Sequence, residues 1–309
     1  MTTKPFVLLG TLLFSMTAAL AGEKTVTPSQ GVRLTGLQAG HCFKVTLHQS
    51  DDTDRNGVRI TLDERLEPYL KAEVSGGMLR LGFEELPKEL QNTEKWSCPA
   101  TAEVTLARID RLSVSGKASV HTDDTFSGTA SQIEASGMGH ISPITIAVTG
   151  KETPEIDVSG MGHIDATLRN EVAGMKIDAS GMGRLRLTHD AQSGDTKIDA
   201  SGQSKIDLTL QETGSMDIDA SGMASVTAHG RTDRLEATTS GKARLEFGDL
   251  SSTEADCTAS GMSQMVCRVT KGIDAAASGS SSIRVLADQA IRMHTRTSAM
   301  AKVHLNYVE

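Results

Sequence analysis

Aromatic side chains make up only 3% of the 309 residues, with one Trp and two Tyr, so neither a core of large rings nor a sugar-binding face paved with aromatic platforms can be built. The four cysteines are Cys42, Cys98, Cys257 and Cys267, and no Cys-x-x-Cys occurs, which excludes a zinc ribbon and a thioredoxin-like redox pair. Positive charge is short as well. Lys and Arg number 31 against 39 Asp and Glu, a formal net charge of −8, whereas a nucleic-acid partner needs a basic surplus. No glycine-rich run ends in Gly-Lys followed by Ser or Thr, so the phosphate loop is missing, and no Gly-x-Ser-x-Gly elbow occurs; no cofactor is implied.

Long apolar runs are also lacking. The one candidate, Phe6 to Leu20, is interrupted by Gly10, Thr11, Ser15 and Thr17 and is too short for the roughly 20 residues of a membrane-spanning helix. It follows Lys4 and precedes Ala19-Leu20-Ala21, which is the layout of a cleaved secretory leader at 1–21. Gly22 and Glu23 stand where a lipoprotein would carry a cysteine. The chain is therefore expected to be exported, to the periplasm or the cell surface, without a membrane span. Loss of Lys4 with the leader would move the charge from −8 to −9.

What is abundant is a repeat, and it decides the fold. Ile156-Asp157-Val158-Ser159-Gly160-Met161 recurs as Ile177-Asp178-Ala179-Ser180-Gly181-Met182, then as Ile198 to Gln203 and Ile218 to Met223. Anchored on the serine, the pattern runs through Ser115, Ser136, Ser159, Ser180, Ser201, Ser221, Ser240, Ser260, Ser278 and Ser298. The steps between these serines are slightly unequal, the longest from Ser136 to Ser159 and the shortest from Ser260 to Ser278. The residues three and one before each serine are apolar and the one between is polar, the period of a strand with one buried face. Apolar residues return five and seven places after the serine, as in Leu185 and Leu187 or Leu245 and Phe247, so a second strand follows each turn.

Strand, glycine corner and strand in constant register define an all-β right-handed parallel β-helix, a solenoid of about ten coils of roughly 20 residues. It is assigned to residues 109–309. Residues 22–108 do not follow the register but contain alternating runs such as Phe43 to Leu47 and Val58 to Leu62, and are read as a β-rich section capping the N-terminal end. Pro68 and the stretch around Pro87 read as loops, and Tyr307 as a residue able to close the far end of the core.

The strand-rich opening, the lead-in Leu112-Ser113-Val114-Ser115-Gly116 and the Ser-Gly-Met-Gly units at Ser136, Ser159 and Ser180 resemble the head GIN domain family of putative auto-transporter adhesins. The resemblance implies a right-handed parallel β-helix in the bacterial envelope. The long alternating barrel segment of a self-translocating auto-transporter is not seen.

Stacking turns each repeat position into a row. Glu134, Asp157, Asp178, Asp199 and Asp219 form an acidic row two places before the serine, a solvated polar face or a set of oxygen ligands for a hard cation such as calcium. Neighbouring carboxylates about 5 Å apart repel by just under ~1 kcal/mol in water, so the row can exist without an ion. His140 and His163 share one turn position in adjacent coils, where they are either exposed turn residues or two ligands for a transition metal. Met138, Met161, Met182, Met223, Met262 and Met300 follow the Ser-Gly or Ser-Ala pair; corner packing is the ordinary reading, and soft-metal binding or oxidant capture the other. The serines, repeated ten times, are turn residues rather than nucleophiles.

Cys257 and Cys267 fall at inward positions of one coil, where they form a disulfide or, if their walls stand too far apart, stay reduced and buried. Cys42 with Cys98 would tie the opening section. The expected function is a non-catalytic envelope or surface module, adhesion-like or structural, contacting a protein or glycan of the envelope or surface. The alternatives are a polysaccharide-active enzyme, with Asp157 and Asp178 as its carboxylate pair, and a cation-binding envelope protein.

Overall fold

The computed structural model describes residues 17–19, 23–26, 33–52, 57–88 and 100–308. It is a β-solenoid of about ten turns of parallel stacked coils. In the coil that contains Ile177, that residue and Ala179 point inward, Ser180-Gly181-Met182 turns the corner, and Leu185 and Leu187 face the core from the next wall. The chain bends again after His189 and returns to Ile198, one rung further along. Inward positions stack Ile on Ile: Ile133, Ile156, Ile177, Ile198 and Ile218 are all fully buried and paired in sequence. A coil alone cannot bury such a stripe, whereas a stack of coils shares it.

The unequal repeat lengths are absorbed away from the Ser-Gly corner. Register shifts fall between His189 and Gln192, between Thr209 and Thr213, between Thr227 and His229, and between Phe247 and Ser251, all at or near the bend that ends the second wall. The longest step, from Ser136 to Ser159, is taken up partly by a bulge between Ile141 and Ile144. Through the Ser-Gly corner itself the rungs repeat unbroken from Ser115 to Ser298, each serine N–H donating to a carbonyl one coil back.

The parallel ladder begins inside the opening section. Gly36–Ala39 pairs in parallel with Arg111–Val114, and Phe43–Gln49 with Ser119–His121, so Gly40 and His41 take the place of the first corner. Beyond them, Gly57–Thr61 and Leu70–Ser75 add antiparallel strands. Phe83 stacks on Phe43, ring centroids 5.1 Å apart, over the first coil. Changing from parallel to antiparallel pairing covers the open edge of the stack. Pro68, read as a loop residue, lies in a 3-10 helix, Glu64–Tyr69, whose first turn is held by the Asp63 side chain accepting from the Arg65 N–H.

At the other end Tyr307 does not close the core; it is 64% exposed. The side chains of Val303 and Leu305 are only half-buried, because no later coil stacks on them among the described residues. The expected leader lies largely outside the described residues, including its cleavage point, though Thr17–Ala19 pairs antiparallel with Glu23–Val26.

Candidate functional site: the Ser-Gly corner and its flanking rows

The corner exists because glycine allows it. Gly137, Gly160, Gly181, Gly202 and Gly222 all have φ between 63° and 70°, a left-handed conformation costly for any residue with a Cβ. At each corner the next N–H reaches back to the preceding glycine: Met161 donates to the Gly137 carbonyl and Met182 to that of Gly160, both at 2.6 Å. A second small residue follows two places after the glycine; the Ser-Gly-Met-Gly units show it in the early coils, but its continuation as Ser or Ala was not singled out from the sequence. Gly139, Gly162 and Gly183 occupy it in the early coils, then Ser204, Ala224, Ala243, Ser263 and Ser281, all buried in these later coils. Ser263 and Ser281 each donate to the carbonyl of their own corner serine at 2.8 Å. The signal was present as a small residue repeating at that offset.

The acidic row is in register as expected: Glu134, Asp157, Asp178, Asp199 and Asp219 pair rung to rung. It is not a bare row of carboxylates. Lys176 lies 2.9 Å from Asp178, Lys197 is 3.8 Å from Asp199, and Ser113 donates to Glu134 at 3.1 Å. These lysines stand two residues before their aspartates, on the same face of the strand, a pairing legible from the Lys-Ile-Asp triplets. Asp157 has no such lysine in its own coil. Its carboxyl is pushed above the ordinary aspartate range, first by partial burial and then by the charge of Asp178. Beside the row runs a groove of about 260 Å³, lined by Asp178, Asp199, Asp219, Ser180, Ser201 and Ser221 among others.

On the far side of the corner His140 and His163 occupy adjacent rungs. Their rings are parallel within 9°, centroids 4.6 Å apart. Partial burial, and next the neighbouring His140, push His163 below the ordinary imidazole value. The row continues through Arg184 and Lys205. Among the described residues no group of three or more His, Cys, Asp or Glu side chains is placed to hold a metal ion.

The methionines are not corner packing. Met138, Met161, Met182, Met223, Met262 and Met300 are 43–74% exposed, whereas Met175, Met216 and Met265 are buried in the core. They form a crest along the corner because the left-handed residue before each one, a glycine in five cases and Ala299 before Met300, turns the next side chain outward.

Cys257 and Cys267 are both fully buried, as expected, but as free thiols rather than a disulfide. They sit on two walls of one coil, where neighbouring rungs place Ala237 and Ala275 around the first and Phe247 and Val285 around the second. The Cys267 thiol, hydrogen-bonded to Cys257, and then burial raise the Cys257 thiol well above its ordinary value. Cys98 lies outside the described residues; Cys42 is half-buried against the core.

The fold and its outward rows define an elongated β-solenoid that presents one polar corner along its length. Two overlapping stretches, residues 33–167 and 143–288, match the family described as putative auto-transporter adhesin, head GIN domain, and the chain belongs to that family. A comparison with proteins of curated function gives no match. Among solved structures, a putative adhesin from Parabacteroides merdae is 13% identical, with 92% of this chain and 95% of that one covered and a TM-score of 0.44. A putative lipid binding protein from Parabacteroides distasonis is 16% identical, covering 92% and 97%, with a TM-score of 0.48. A putative adhesin from the same species is 14% identical, covering 96% and 98%, with a TM-score of 0.41. At these values the likeness carries nothing about function.

Proposed function

We propose that this chain is a non-catalytic, exported surface or envelope module that holds an extended protein or glycan along its Ser-Gly corner. The observation that carries the reading is the contrast between the two bends of the coil. Changes in repeat length fall outside the Ser-Gly corner, mostly at or near the other bend, while the Ser-Gly corner keeps one spacing from rung to rung. A surface of equal steps about 4.8 Å apart offers the same donors and acceptors to successive units of a polymer. The groove beside Asp178, Asp199 and Asp219 supplies carboxylates and hydroxyls together, a set suited to hydroxyl and amide groups. Membership of the adhesin family agrees with such a role, although fold alone does not fix function. No helix among the described residues is long and apolar enough to cross a membrane.

The test is to immobilise the purified chain and pass over it fractionated bacterial envelope glycans and proteins. Saturable retention of one fraction, reduced at least tenfold by the triple change Asp178→Ser, Asp199→Ser and Asp219→Ser, is expected. Equal retention by both proteins would overturn the reading.

A further inference from the structure

The crest and the histidine pair meet in the early coils. Met138-Gly139-His140 and Met161-Gly162-His163 are the same three residues on adjacent rungs, and Met182 crests the third rung. Successive rungs stand about 4.8 Å apart. Met138, Met161 and Met182 are 43%, 52% and 50% exposed, so their thioethers are open to solvent. The two imidazoles already lie face to face at 4.6 Å, and neither ring is engaged by a hydrogen bond or ion pair among the described residues. In the later coils the crest is broken: Gln203, Lys242 and Ser280 separate Met223, Met262 and Met300.

We propose that this corner of the early coils binds a soft monovalent metal ion, Cu(I) in kind, through three or four donors drawn from the thioethers of Met138, Met161 and Met182 and the imidazoles of His140 and His163.

Three steps lead there. Thioether sulfur is a poor ligand for calcium or magnesium and a good one for Cu(I) or Ag(I), and imidazole serves both soft and borderline ions. A methionine side chain has three rotatable bonds beyond the backbone, and imidazole χ2 is broad, so donors on neighbouring rungs can turn toward one ion without moving the corner. Arg184 continues the histidine row on the third rung, and its charge penalises a divalent ion about twice as much as a monovalent one. The site is independent of the polymer-binding reading, since it lies on the far side of the corner from the acidic groove.

The test uses Ag(I), which has the same preferences and no redox change. The full chain carrying labelled methionine methyls and histidine rings is titrated and followed by NMR, beside the variant Met138→Leu, Met161→Leu, Met182→Leu. Leucine keeps the bulk and apolar character of an exposed side chain, and a circular dichroism spectrum checks the fold. The expected result is one equivalent of Ag(I) more in the native chain than in the variant, with the methyls of Met138, Met161 and Met182 and the rings of His140 and His163 shifting together. Cysteine sulfurs contribute equally to both proteins and cancel. Equal uptake by the two proteins overturns the proposal. So does a titration of the native chain in which Met223 and Met262 shift as far as the early crest, and this readout needs no variant to fold.

Discussion

A Cβ built on Gly181 would lie 2.8 Å from the carbonyl oxygen of Gly160 one coil back, at a φ of 66° that already disfavours a side chain. The contact is with backbone, which cannot swing aside. Gly181→Ala is expected to lower stability by at least about 1–3 kcal/mol from the φ alone. Ala299 shows where the rule relaxes: it has φ 60° on the last described corner, where no further coil locks the turn in place. Urea unfolding of Gly181→Ala measures the loss. A change within about 0.5 kcal/mol, the size expected of an unconstrained surface position, would mean the stack is looser than described.

Core truncation should be costly in the middle of the stack. Ile198 is fully buried between Ile177 and Ile218, so Ile198→Ala removes packing from three rungs at once. A loss of about 2–5 kcal/mol is expected from the same kind of unfolding curve.

Asp157 gives a prediction of opposite sign. Its folded-state pKa is raised, so the native chain holds this proton more tightly than the unfolded chain does. That contribution to stability is present below the unfolded aspartate value and is lost as pH rises through the folded one. At pH 7 Asp157→Asn should therefore leave stability unchanged or raise it by up to about 0.5 kcal/mol. The gain should vanish near pH 3. Thermal melts of both proteins at the two pH values decide it, and a clear loss at pH 7 would show Asp157 to be held by a favourable partner.

The paired thiols should be silent in the folded chain. Cys257 and Cys267 are fully buried, and the Cys257 thiol keeps its proton beyond the ordinary value of about 9. A thiol that is neither exposed nor ionised reacts slowly. Alkylation at pH 8 followed by peptide mass spectrometry should find both unmodified natively and both modified in urea. The unfolded chain loses the Cys257 proton first, so stability should also fall as pH passes about 9. Rapid native labelling of Cys257 would contradict the packing around it.

Most of the architecture was readable in advance, because Ile-x-Ala-Ser-Gly returning on one strand at a near-constant period leaves few folds to choose from. The rows were readable for the same reason: Asp157 above Asp178, and His140 above His163, follow from register alone. The early part of the ladder was not, since Gly36 to Gln49 takes the same path with Ala39-Gly40-His41 in place of Ser-Gly. Its partners Arg111–Val114 and Ser119–His121 lie far along the chain, beyond the whole antiparallel section and any local pattern. The methionine crest was misjudged because methionine is ordinarily a packing residue, whereas the positive φ of each corner residue, glycine or Ala299, points the next side chain out. The cysteine pair was read correctly for burial, but whether two inward sulfurs are bonded depends on the distance across a narrow core, which spacing does not reveal.

The measurement that bears most directly on the proposed function compares two faces of one rod. The retained envelope fraction is titrated against Asp178→Ser, Asp199→Ser, Asp219→Ser, and against Glu212→Ser, Arg231→Ser, Lys271→Ser, which alters exposed or half-exposed charges away from the Ser-Gly corner. Affinity should fall at least tenfold for the corner variant and stay within twofold of native for the other. Equal losses from both faces, or a loss only from the second, would contradict recognition along the Ser-Gly corner.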